Sequence, residues 1–186
     1  DFDALALPFR AIATDLVSGR MVVQRSGSLV HAVRASMAVP SAFAPVQSGR
    51  QRLVDGGLTQ NPPVAAVREA CADVVIAVDI SSPLLEADQL GNVFGVALQV
   101  VNILMERNVA ESLALLREGD VLIRPDLGEL SAVDFARGVD GIPAGEAATM
   151  AAAGPLARLA VDEAGQDAWR RERRARTPRD PPVRRV

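Results

Sequence analysis

Seven consecutive residues, Val74-Val75-Ile76-Ala77-Val78-Asp79-Ile80, form a nearly unbroken apolar run with polar neighbours on both sides. A strand with one wet face would alternate apolar and polar residues. A continuous run suits a strand covered on both faces, as in a largely parallel sheet sandwiched by helices. This run constrains the architecture more than any other feature of the chain.

The segments around it alternate between strand and helix patterns. Phe9 to Leu16 is apolar and partly β-branched, Ser18-Gly19 supplies a turn, and Met21 to Gln24 reads as the returning strand of a hairpin. Ser28 is positioned to cap a helix over 29–37, limited by Pro40. Leu53-Val54 is a short buried strand leading into Asp55-Gly56-Gly57, and Asn61-Pro62-Pro63 opens a helix that runs to about Ala72, with Asn61 as its cap. A long helix is expected over 93–117, with Val96, Val100, Ile103, Leu104 and Val109 on its apolar positions. Asp120 to Pro125 reads as a strand. Residues 145–164 read as an Ala-rich helix with a break at Gly154-Pro155. Strands alternating with helices give an α/β fold.

Composition narrows the chemistry. With 186 residues, 49% hydrophobic and 23% charged, the chain can build one α/β domain with a core. A net charge of -3 gives no reason to expect a nucleic-acid partner. The charge is uneven: residues 165–186 hold eight Arg against three acids, so 166–186 reads as an exposed Arg/Pro-rich linker or tail after a domain over 1–165. His31 is the only histidine, which excludes a Ser-His-Asp triad and any metal site of Cys/His spacing within these residues. Cys71 lies in an apolar helical pattern and is expected to be a small buried hydrophobe. No run of 18 apolar residues occurs, so no membrane-spanning helix is expected, and Asp1-Phe2-Asp3 does not open a signal peptide.

Asp55 is the leading candidate for chemistry. A carboxylate at the end of a buried strand stands where ligands of open α/β sheets bind. Two glycines after it can take positive φ and leave room for another group. A nucleophilic hydroxyl needs such a proton acceptor within hydrogen-bond reach. The bland alternative is an Asp-Gly turn with no chemistry, a common arrangement.

The residues around Asp55 form an ordered series: Ala35-Ser36, Pro40 and Phe43, then Leu53-Val54-Asp55-Gly56-Gly57, then Asn61-Pro62-Pro63. With Phe9-Arg10-Ala11-Ile12-Ala13-Thr14-Asp15-Leu16 before it and Ala72 to Asp79 after it, this series resembles the second half of the patatin-like phospholipase domain. The resemblance covers roughly residues 5–165. It implies a partial patatin-like three-layer fold, with a central mostly parallel sheet flanked by helices. It also implies a Ser–Asp dyad with no cofactor and no metal, in which Asp55 is the general base, Gly56 and Gly57 complete its motif, and Ser36, Pro40 and Asn61 support it. The expected reaction is hydrolysis of a membrane phospholipid or other lipid ester. The family's Gly-x-Ser-x-Gly nucleophile elbow and its glycine-rich oxyanion loop do not occur in these 186 residues. Ser18, Ser28, Ser36 and Ser41 lack the elbow context, so the resemblance places the nucleophile in a missing N-terminal half. The chain alone is then expected to be inactive and to have an incomplete core.

A narrower resemblance runs through 99–135, with Asp120 to Gly128 and Ser131 to Phe135 as its later blocks. It is similar to bacterial patatins fused to a POTRA domain and an outer-membrane barrel, which implies an outer-membrane or secreted setting. A cytoplasmic patatin is the alternative. Against the hydrolase stands a non-catalytic patatin remnant or lipid-binding module. A nucleotide-binding domain fits less well, because no Gly-x-Gly-x-x-G follows a strand. Among single residues, His31 is expected at the surface, Asp15 and Asp79 are expected to hydrogen-bond loops, and Arg34 is a candidate phosphate contact.

Overall fold

The structure is a computed structural model that describes residues 1–128, 130 and 134–176. The order of elements is β1 (Ala11–Asp15), β2 (Arg20–Gln24), α1 (Leu29–Ser36), β3 (Val46–Ser48), β4 (Gln51–Asp55), α2 (Val64–Glu69), β5 (Ile76–Val78), α3 (Val93–Leu113), β6 (Val121–Ile123), α4 (Ile142–Ala151), α5 (Ala153–Ala157) and α6 (Glu163–Arg176). The fold is α/β. Its larger sheet has the order β2-β1-β4-β3 and is antiparallel at every pairing. The parallel register expected for the central sheet is found in a separate pair, β5 with β6.

All five residues of β1 are buried, making it the axis of the four-stranded sheet. Ala11 and Ala13 pack with Ala32 and Ala35 of α1, joined by Leu53 of β4. Small side chains on both surfaces let the helix lie close to the sheet. Ile12 and Thr14 point the other way, toward the turn that follows Asp55. The helix α1 starts as its sequence indicates: the Ser28 hydroxyl accepts the His31 N–H at 3.3 Å.

Several boundaries differ from expectation. The helix after Asn61 begins at Val64 and ends at Glu69. Asn61 does not cap it; Gln60 Oε1 accepts the Ala66 N–H at 3.3 Å instead, because Pro63 at the cap position has no side-chain acceptor to offer. Cys71 is exposed, not buried: the chain leaves α2 there with φ of 68°, which turns the residue off the helix's apolar face. The Ala-rich helix breaks at Ala152, and Pro155 sits inside α5. A proline ring crowds the carbonyl four residues earlier, here Ala151, so the break falls ahead of the proline. The expected linker is helical from Glu163 to Arg176 and exposed along nearly all of it, while 177–186 and 131–133 lie outside the described residues.

The run that opened the sequence reading is a strand, but a shorter and barer one. Ala77 is buried, whereas Ile76 and Val78 are 50% and 49% exposed. Much of α3 is also uncovered, including Val93, Phe94, Val100, Ile103 and Leu104. By length and composition alone, α3 would be able to cross a membrane, contrary to the run-length expectation. It also carries Glu106, Arg107 and Glu111, and its Asn108 side chain bonds the turn after β4.

Candidate active site

Asp55 is the last residue of β4, opposite Ala13 of the buried β1. Its backbone N–H donates to the Ala38 carbonyl at 3.0 Å. Ala38 is fully buried and lies between Ser36, the last residue of α1, and Pro40. The Ser36–Pro40 block thus meets Asp55 through its backbone. Ser36 and Pro40 are themselves part-exposed, and neither side chain hydrogen-bonds Asp55.

The carboxylate divides its two oxygens. Oδ1 accepts the Gly57 N–H at 2.7 Å and caps the 3-10 turn Gly56–Leu58. To that extent the Asp-Gly turn is a structural cap. Among the described residues Oδ2 has no hydrogen-bond partner within the chain. Burial raises the carboxyl's pKa above its ordinary value, and the Gly57 N–H offsets part of that rise; no charged side chain contributes. The result is one oriented carboxylate with one committed oxygen, one uncommitted oxygen and a raised affinity for a proton.

The two glycines are required for space and not for positive φ, which neither adopts. A Cβ on Gly56 would stand 2.5 Å from the Ile12 carbonyl oxygen, inside the backbone of β1. A Cβ on Gly57 would stand 2.6 Å from the Met105 methyl and 3.0 Å from Asp55 Oδ1. The turn is therefore pressed against β1 on one side and α3 on the other.

Three residues that the sequence did not single out hold this turn. Asn108 of α3 donates from Nδ2 to the Gly57 carbonyl at 2.9 Å. The Thr59 hydroxyl lies 3.1 Å from the Gly56 carbonyl and 3.0 Å from the Thr14 hydroxyl. The only sequence trace of them is Thr14, a polar residue that follows Ala11-Ile12-Ala13 in β1.

The remaining candidates are not brought to Asp55. Asn61 lies beside Gly57, 3.7 Å from where a Gly57 Cβ would be, without bonding the carboxylate. Arg34 donates to the Ala44 carbonyl at 3.3 Å, its guanidinium lies 5.2 Å from the Phe43 ring centroid, and its Nη1 is buried. His31 is at the surface. Asp15 receives the Ser18 hydroxyl and the Arg52 and Val17 N–H groups, which hold its carboxyl below the ordinary range. Burial pushes the Asp79 carboxyl up, but hydrogen bonds from Ser81 and Arg124 outweigh it and leave it lowered. Both aspartates serve loops, as expected. Among the described residues no serine, threonine or cysteine side chain hydrogen-bonds Asp55, so the site as it stands can accept a proton but holds no nucleophile in contact.

Residues 6–68 match the model of the patatin-like phospholipase family, a stretch that takes in β1, α1, Asp55 and most of α2. An uncharacterized NTE family protein of Mycobacterium tuberculosis is 38% identical over 79 residues, covering 42% of this chain and 22% of that protein. Mouse patatin-like phospholipase domain-containing protein 7 is 40% identical over 80 residues, covering 42% of this chain and 6% of that protein. Lysophospholipase NTE1 of Cryptococcus neoformans is 37% identical over 76 residues, covering 41% of this chain and 5% of that protein. The chain therefore spans about a fifth or less of the length of these relatives.

Proposed function

We propose that this chain supplies the proton-accepting half of a patatin-like lipid acyl hydrolase, with Asp55 as the general base of a Ser–Asp dyad. The observation that carries the reading is the divided carboxylate: Oδ1 is fixed by the Gly57 N–H, and Oδ2 is left uncommitted with its proton affinity raised by burial. Asp55 would take the serine proton at Oδ2 as the hydroxyl attacks the ester carbonyl. It would return that proton to the departing alcohol as the acyl bond breaks, and water would then release the fatty acid. The substrate class is a phospholipid or lysophospholipid ester.

The serine belongs, in this reading, to polypeptide outside the 186 residues. The half-exposed Ile76 and Val78 support this, since parallel strands are normally covered on both faces. The resemblance of 99–135 to barrel-fused patatins adds a POTRA domain and an outer-membrane barrel to the reading; membrane fractionation of the natural protein tests that part separately.

A second reading, a non-catalytic remnant that binds lipid, draws support from the same Gly57 bond, because Asp55 already has a local capping role. The deciding experiment expresses the natural protein from its complete reading frame and measures release of nitrophenol from a short-chain ester. Asp55→Asn is expected to lower turnover by about 10²–10⁴-fold with the fold intact. Unchanged turnover would refute Asp55 as the base. An inert parent protein that still sediments with phospholipid vesicles would favour the remnant.

A further inference from the structure

We propose that Thr14 and Thr59 are positioning residues for Asp55, acting through a one-way chain of hydrogen bonds that ends on Oδ1. The inference deepens the reading of Asp55 as a base and rests on it for its functional meaning.

The direction of the chain follows from proton counting. Thr14 is 5% exposed, and among the described residues its hydroxyl contacts one partner, Thr59 Oγ1 at 3.0 Å. A buried hydroxyl proton needs an acceptor, so Thr14 donates to Thr59. Thr59 then spends its own single proton on the Gly56 carbonyl at 3.1 Å. That carbonyl and the Gly57 N–H are the two ends of one peptide group. The same N–H donates to Asp55 Oδ1 at 2.7 Å. A donor on the carbonyl end polarises the peptide and strengthens the bond made by its N–H end. The backbone N–H groups of Thr59 and Gln60 also donate to the Gly56 carbonyl, each at 3.0 Å, which adds to the polarisation and fixes the peptide plane.

The consequence for the site is a choice between oxygens. The chain Thr14, Thr59, Gly56–Gly57, Asp55 commits Oδ1 and fixes the carboxylate's rotation. Proton transfer is thereby assigned to Oδ2. The two threonines are 45 residues apart in sequence and meet because β1 pairs with β4, whose end delivers the turn.

The test uses the natural protein expressed from its complete reading frame and solution NMR with selective glycine and aspartate labelling, following the Gly57 amide proton and the titration of the Asp55 carboxyl carbon. Thr59→Val, which keeps shape and removes the hydroxyl, is expected to move the Gly57 amide resonance upfield and the Asp55 midpoint upward. Thr14→Val is expected to move both in the same direction by less, and Thr14→Ser to leave both near the parent values. Unchanged Gly57 and Asp55 signals in Thr59→Val would overturn the proposal, as would a Thr14→Ser shift as large as that of Thr14→Val. If Thr14→Val, at its buried position, does not fold, the part-exposed Thr59→Val decides alone. The outcome is separable from the base assignment: an Asp55→Asn protein that still hydrolyses ester refutes the base but leaves the hydrogen-bond chain measurable.

Discussion

The backbone N–H of Asp55 is bonded to the carbonyl of Ala38 across 3.0 Å, so two motif blocks 17 positions apart meet through the main chain. Ala38 has no exposed surface, so a larger side chain there would have no path to solvent. Ala38→Val is expected to destabilise the fold by about 1–3 kcal/mol through overpacking. It should also lower ester turnover in the parent protein more than a remote core change of equal cost. Denaturant melts paired with kcat measurements check this; a loss of stability with kcat untouched would mean that Ala38 does not position Asp55.

Gly56 and Gly57 should answer differently to the same substitution. Gly56→Ala drives a methyl group into the Ile12 carbonyl, which belongs to a paired strand and cannot swing away, so a cost at the upper end of about 1–3 kcal/mol is expected. Gly57→Ala meets the flexible end of Met105, which can move, but it also crowds Asp55 Oδ1. The expected result is a smaller loss of stability and a larger loss of activity. Thermal melts and ester assays on the two variants rank them.

Asp55 should oppose stability and function. Its pKa is raised in the fold, so the native state holds the proton more tightly than the unfolded chain does, and stability falls as pH rises through the folded pKa. Asn at this position keeps an oxygen for the Gly57 N–H and carries no charge. Asp55→Asn is expected to melt higher than the parent at pH 7, with the advantage shrinking on acidification as the parent's carboxyl protonates. Equal melting temperatures at both pH values would contradict the buried-charge cost.

Asp120 should behave in the opposite sense. It accepts the Arg117 and Val75 N–H groups and pairs with Arg68, and its carboxyl is lowered to about 2. A lowered folded pKa contributes stability above the ordinary value near 3.8 that is lost as pH falls toward about 2. Hydrogen exchange at the Val75 and Arg117 amides is expected to accelerate across that window. Asp120→Asn should show fast exchange already at neutral pH.

Removing the Asn108 amide should cost about 0.5–1.5 kcal/mol, the range for a single hydrogen bond. Asn108→Ala is expected to loosen the Gly57 carbonyl without moving the β1–β2 hairpin. Amide exchange at Leu58 and Thr59 against that at Met21 and Val22 reads the difference.

What could be read from the sequence was local. Ser18-Gly19 marked the hairpin, Ser28 marked the start of α1, and Leu53-Val54 marked the strand that ends on Asp55. What could not be read depended on partners far along the chain. The strand β3, Val46-Gln47-Ser48, is three residues long and has no apolar alternation, so the second hairpin and the antiparallel course of β4 left no periodic signal. Gly56 and Gly57 look like conformational glycines in sequence, whereas their need for space comes from Ile12 and Met105. Asn108 lies 51 residues from Gly57, and nothing within the sequence of α3 marks it as a clamp. Continuous apolar composition at 74–80 indicated a strand correctly, but coverage is a property of neighbours, and Ile76 and Val78 lack it here.

Among the described residues β5 pairs with β6 alone, in the register Ile76 with Val121, so its partner is 45 residues downstream with all of α3 between them. A ribosome adding about 5–20 residues per second would leave β5 waiting roughly 2–9 s for that partner. During this interval an apolar strand with open hydrogen-bonding edges is free to join whichever nascent chain or chaperone it meets first.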